Sequence, residues 1–78
     1  MSVVGSTING VARIEIARPE KKNALTAAMY QSMADALAAA HDDSSVRVIL
    51  ICGQKDIFTA GNDLEDFMKN PGRLLPDA

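Results

Sequence analysis

Cysteine is nearly absent: Cys52 is the only one in 78 residues. That excludes a disulfide framework, and its place inside an apolar run marks it as a small core hydrophobe rather than a reactive thiol. Histidine is as scarce, with His41 alone, and no His or Cys spacing suggests a metal site. Long apolar runs are missing too. Val48 to Cys52 is as long as any, far short of the ~20 residues that cross a bilayer as a helix. No charged-then-apolar leader opens the chain. Nor does charge of one sign dominate: net charge is −2, which argues against nucleic acid as a bulk electrostatic partner. Internal repeats and low-complexity tracts are absent before residue 70. The expectation is a cytoplasmic, reducing setting with no membrane or nucleic-acid partner.

What is present is 47% apolar, too much for a disordered chain. The length allows one small domain. A chain this size buries only about 60% of its unfolded surface and is marginal alone. The tail, Asn70-Pro71-Gly72-Arg73-Leu74-Leu75-Pro76-Asp77-Ala78, is expected to be irregular. It reads like the middle of a longer chain.

Val3 to Ile8 reads as a strand loosened by Gly5. Asn9-Gly10 is a hairpin signal, because both residues tolerate the positive φ of a type I′ turn. Val11 to Ala17 then alternates, with Ala12, Ile14 and Ile16 on one face and Arg13 and Glu15 on the other. Pro19 ends that strand, and Arg18 to Asn23 forms a polar loop. Thr26 is a helix N-cap, with Leu25 and Tyr30 placed as a hydrophobic staple. Met29, Met33, Leu37 and Ala40 form one apolar stripe of a helix over about 26–42. Val46 to Cys52 is apolar on both faces except for Arg47, which predicts a central, covered strand. A last helix spans about 63–69, with Leu64, Phe67 and Met68 on its apolar face and Asn70-Pro71-Gly72 as its stop. The fold class is α/β, in the order β-β-α-β-α.

Phe58-Thr59-Ala60-Gly61-Asn62-Asp63-Leu64 follows the apolar strand and opens this last helix. Small residues there let a ligand approach the backbone closely. A helix start also presents unpaired N–H groups, and a site that stabilises an oxyanion needs such donors. Two cap assignments compete. With Asn62 as N-cap, Glu65 reaches back to the Asn62 N–H and occupies it. With Asp63 as N-cap, its carboxylate serves the amides of Glu65 or Asp66, and the Asn62 N–H stays free. The second is predicted.

Two segments together resemble the enoyl-CoA hydratase/isomerase (crotonase) superfamily. Arg18-Pro19-Glu20-Lys21-Lys22-Asn23-Ala24-Leu25-Thr26 is similar to its "RPEKxNAL" segment, and Phe58 to Leu64 to its "F-x-A-G-x-D-L/I" segment. The resemblance runs from about Ala12 to Phe67. It implies a crotonase-like ββα-superhelix, of which residues 1–78 form the N-terminal part, in a parent that assembles as a trimer or hexamer. It implies an acyl-CoA thioester as partner, with coenzyme A arriving as part of the substrate and no other cofactor. One oxyanion donor is then the backbone N–H of Asn62. The second donor and the acid/base carboxylates lie downstream. By the same resemblance, Lys22, Ala24, Leu25, Ala60, Gly61, Asn62, Asp63 and Leu64 border the substrate. Asn62 itself departs from the small residue of many hydratases. Gly61-Asn62-Asp63-Leu64 is closer to the Δ3,Δ2-enoyl-CoA isomerase branch.

Arg18, Lys21 and Lys22 could form a cationic rim for the phosphates of coenzyme A, or simply a solvated loop. His41 is expected to face the negative end of its helix. Asp63, Glu65 and Asp66 read as helix-start carboxylates rather than an acid/base set. Two other readings stay open: a non-enzymatic small domain that self-associates, and another crotonase-type reaction such as thioester hydrolysis.

Overall fold

The structure is a computed structural model that describes residues 2–69. The expected irregular tail and the helix stop at Asn70-Pro71-Gly72 lie outside the described residues. The elements are β1 (Val3–Ile8), β2 (Val11–Ile16), a 3-10 turn (Pro19–Lys21), α1 (Ala27–Asp42), β3 (Val48–Cys52) and α2 (Leu64–Lys69). They form one three-stranded sheet in the order β1-β2-β3.

β1 and β2 are an antiparallel hairpin in the register Ile8↔Val11 to Val3↔Ile16. Asn9 and Gly10 turn it with φ of 52° and 80°, as a type I′ turn requires. β2 then pairs in parallel with β3, Ala12 opposite Ile49 and Ile14 opposite Ile51. α1 crosses between these two strands, so the βαβ unit read from the sequence is present.

Alternation in β2 sets the core. Ala12, Ile14 and Ile16 are buried, the last two almost completely, while Arg13 is exposed beside Glu15. α1 begins where its cap predicts: the Thr26 Oγ1 accepts from the Met29 N–H at 3.1 Å. Val3, Ile14, Ile16, Leu25 and Met29 make the core cluster, with Tyr30, Met33 and Ala36 packed against it. The inward stripe of α1 thus runs Met29, Met33, Ala36, Ala40. Leu37 is exposed, contrary to the sequence reading. The helical repeat of 3.6 residues carries the face back from 37 to 36 on the third turn.

The larger correction concerns β3. It is apolar, as read, but neither central nor covered. It lies at the sheet edge, and Val48, Ile49, Leu50 and Ile51 are 55%, 40%, 46% and 42% exposed. Composition declares the burial a strand is suited to, and no described element of this chain provides it. The apolar face of α2 behaves alike: Leu64 and Met68 are exposed, and only Phe67 finds a partner, edge-on to the Tyr30 ring at 6.3 Å.

After β3 the chain doubles back at Gly53. A Cβ there would lie 2.5 Å from the Ile57 oxygen and from the Phe58 Cα, so this approach requires glycine. The Gln54 N–H donates to the Ile57 carbonyl at 2.9 Å. The Gln54 side chain reaches across to the Ile16 carbonyl at 3.0 Å. These bonds deliver residues 58–63 to the end of β2.

Candidate functional site

Two loops meet at the carboxyl ends of β2 and β3 and zip together in parallel. The Ala60 N–H donates to the Lys22 carbonyl (3.1 Å), the Leu25 N–H to Gly61 (2.8 Å) and the Asp63 N–H to Leu25 (2.8 Å). Asn62 is the residue opposite Leu25. Along an extended segment successive backbone groups face opposite sides. With the groups of Gly61 and Asp63 turned toward Leu25, the Asn62 N–H is turned away from it. That N–H has no acceptor among the described residues.

The helix cap keeps it so. Asp63 is the N-cap of α2: its Oδ1 accepts from the Asp66 N–H at 3.0 Å, and its carbonyl from the Phe67 N–H. Glu65 does not reach back; its carboxylate accepts from Lys69 at 3.0 Å. Asp66 accepts from the Ala27 N–H at 2.8 Å, tying α2 to the start of α1. The other Asp63 oxygen accepts from the Arg18 guanidinium at 2.8 Å. The Asp66 N–H, and after it the Arg18 guanidinium, hold the Asp63 carboxyl below its ordinary range.

Arg18 also donates to the Ala24 carbonyl at 3.0 Å within its own loop, so the side chain that bonds Asp63 across the two loops is itself held in place. Its charge is therefore spent inside the protein, and the basic rim read from the sequence reduces to Lys21 and Lys22, both exposed.

Beneath the ladder lies Asn23, the one buried polar residue among the described residues, with no exposed surface. Its amide donates to the carbonyls of Ile16 (3.0 Å) and Phe58 (3.1 Å), and its Oδ1 accepts from the Arg18 N–H at 2.7 Å. The Asn23 carbonyl accepts from the Thr59 hydroxyl at 2.6 Å, and Thr59 in turn accepts from the Gly61 N–H at 3.1 Å. Lys22 and Asn23 both take positive φ, 52° and 58°, and Gly61 takes 98°.

The structure thus brings Lys22, Ala24, Leu25, Ala60, Gly61, Asn62 and Asp63 together, and places Leu64 beside them on α2. Lys22, Ala60, Asn62 and Leu64 are exposed. The Leu25 side chain is in the core, leaving only its backbone at the site. Asp63 is fully engaged and offers no free carboxylate. Sequence reasoning placed Asn23 in a polar loop and gave Tyr30 only the role of a hydrophobic staple with Leu25, not one at the site. The Tyr30 hydroxyl donates to the Asn62 Oδ1 at 2.6 Å. For Asn23 a signal existed: asparagine is a residue that tolerates positive φ and bonds backbone on two sides. His41 is exposed in the last turn of α1, and Cys52 is half-buried on the Ile14 carbonyl. No group of His, Cys, Asp and Glu among the described residues could hold a metal ion.

The family described as Enoyl-CoA hydratase/isomerase matches residues 6–74. The chain belongs to the enoyl-CoA hydratase/isomerase family. Among relatives in this family, Enoyl-CoA delta isomerase 2 of Homo sapiens is 36% identical over 70 residues, which are 90% of this chain and 18% of that protein. Enoyl-CoA hydratase domain-containing protein 3, mitochondrial, of Homo sapiens is 30% identical over 85% of this chain and 22% of its own length. The OdaA structure of Pseudomonas aeruginosa superposes with a TM-score of 0.86 at 42% identity, over 99% of this chain and 30% of that one. The enoyl-CoA hydratase of Mycobacterium tuberculosis H37Rv gives 0.83 at 30% identity, over 90% and 32%. The fold is therefore the crotonase fold, and the chain spans about a fifth of the length of these curated relatives.

Proposed function

We propose that this chain forms the N-terminal part of an acyl-CoA hydratase or isomerase, in which the Asn62 N–H stabilises the enolate oxygen of a thioester. The observation that carries the reading is that N–H, unclaimed within the described residues and held out of the ladder by its neighbours. Removing an α-proton from a thioester moves negative charge onto the carbonyl oxygen. A fixed donor aimed at that oxygen strengthens as the charge grows, and one such donor is worth on the order of 3 kcal/mol. The carboxylates that flank the donor are engaged with Arg18, Lys69 and Ala27, so proton transfer falls to residues outside this set. Coenzyme A comes as part of the substrate, with Lys22 beside its phosphates. Full-length members would act as homo-oligomers, trimers or hexamers, in a cytoplasmic setting. Between the two activities, Gly61-Asn62-Asp63-Leu64 and the delta isomerases among the relatives favour Δ3,Δ2-isomerisation.

The test is a titration of the isotopically labelled chain with a 3-ketoacyl-CoA, whose thioester enolises readily, followed by NMR. The Asn62 amide proton is expected to shift most and to move downfield. Binding that leaves this amide unmoved, or no binding at millimolar ligand, overturns the reading. The 78 residues alone are expected to turn over no enoyl-CoA.

A second reading, a small self-associating domain without catalytic activity, is favoured by one observation: β3 is exposed on both faces and along one edge. Light scattering from a strictly monomeric chain would refute it.

A further inference from the structure

Asparagine and aspartate are near-equal N-caps, and here they stand side by side at the start of α2. Capping by Asn62 instead of Asp63 would shift the helix start by one residue. Glu65 would then stand where a capping-box carboxylate reaches back to the Asn62 N–H. The donor would be closed by the protein's own helix. Propensity alone does not prevent this.

Two side chains from outside α2 do. Arg18 holds one Asp63 oxygen, leaving the other aimed at the Asp66 N–H. The Tyr30 hydroxyl, donating to the Asn62 Oδ1 at 2.6 Å, holds the one side-chain acceptor with which Asn62 could cap turned toward α1. Tyr30 is well placed to hold it. It sits one turn into α1, its own N–H donating to the Thr26 carbonyl, and its ring lies edge-on to Phe67 of α2 at 84°. One side chain therefore grips both the residue before the cap and the body of the helix after it.

We infer that Tyr30 is a positioning residue: by engaging the Asn62 side chain it fixes the α2 cap at Asp63 and keeps the Asn62 backbone N–H open to a ligand oxyanion. Its functional meaning rests on the oxyanion reading above, but the cap register is measurable without any thioester.

The experiment is amide hydrogen exchange by NMR on four forms of the 78-residue chain: wild type, Y30F, N62A and Y30F/N62A. In the wild type the Asp66 amide is protected and the Asn62 amide exchanges freely. Y30F keeps the ring against Phe67 and removes only the hydroxyl. It is expected to slow exchange at Asn62 and to quicken it at Asp66, each about fivefold, the scale of one ordinary hydrogen bond. In Y30F/N62A position 62 can no longer cap, so the wild-type pattern returns. A merely structural role for Tyr30 predicts no such rescue. The inference is overturned if Y30F leaves both amides unchanged, or if the double variant keeps the Y30F pattern. Should Y30F unfold the chain, N62A carries the test alone: residue 62 must then stay as open as in the wild type, and slowed exchange there refutes the inference. No coenzyme A compound enters this experiment, so its failure is distinct from failure of the titration.

Discussion

β2 and β3 are neighbours in one sheet, paired in register, and both rich in isoleucine. Ile14 and Ile16 of β2 are 2% and 1% exposed, whereas every apolar residue from Val48 to Ile51 of β3 is at least 40% exposed. The difference lies in their surroundings. β2 has a strand on each side and α1 over its inner face. β3 has one neighbour and no described cover. The same apolar vocabulary therefore supplies the core in one strand and an unmet capacity for burial in the next. Sequence states what a strand can bury; only the neighbours decide what it does bury.

The contrast is sharpest in paired truncations. Ile16→Ala removes fully packed methyl groups beneath α1 and is expected to cost about 2–5 kcal/mol, enough to unfold a chain this small. Leu50→Ala in β3 is expected to cost about 1 kcal/mol or less. Urea unfolding of both decides; equal losses would break the comparison.

Asn23→Ala extends the held region into the loops. It strands the Arg18 N–H and removes the donors to the Ile16 and Phe58 carbonyls. An expected cost of about 2–3 kcal/mol, read from the same urea curves, would place this loop with β2 rather than with β3.

Acid titration is a gentler probe. The Asp63 carboxyl lies below its unfolded value of about 3.9 in the folded chain. Its contribution is complete above that value and is lost as pH falls through the folded one. Asp43, lowered by the Ser45 hydroxyl and N–H, acts in the same direction. Asp63→Asn is expected to lower the urea midpoint near neutral pH and to converge with the wild type in strong acid. A constant gap at all pH values would contradict this.

Smallest in stability is Leu50→Lys, expected to leave the melting temperature almost unchanged while reducing any light-scattering signal of association through the open edge. A large loss of stability would show that β3 is better buried in solution than its exposure indicates.

Features that depend on near neighbours in sequence were legible. Asn9-Gly10 turns the hairpin because the required φ belongs to those two residues. Thr26 and Asp63 cap their helices because the partner amide is three residues away. Asn23, Arg18 and Tyr30 were not legible in their roles. Each finds its partners through the fold: Arg18 and Asp63 are 45 residues apart in sequence, and no local pattern announces that meeting. The misjudged position of β3 has the same cause in reverse, since its pattern reports surroundings that no described part of the chain supplies. For the site, the motif residues, Asn23 among them, could be named in advance; that Asn23 is buried beneath the ladder and that Tyr30 holds the Asn62 side chain could not.

The parallel ladder between residues 22–25 and 60–63 has a kinetic corollary. Its rungs join segments on either side of an entire helix and strand, so loop-closure entropy is spent before any rung forms. The hairpin and α1 can form from local contacts, while the ladder must await the docking of both. The ladder that frames the open amide at residue 62 is thus among the last features of the molecule to come into being, and protection of the Leu25 and Asp63 amides in a refolding chain would mark the completion of the fold.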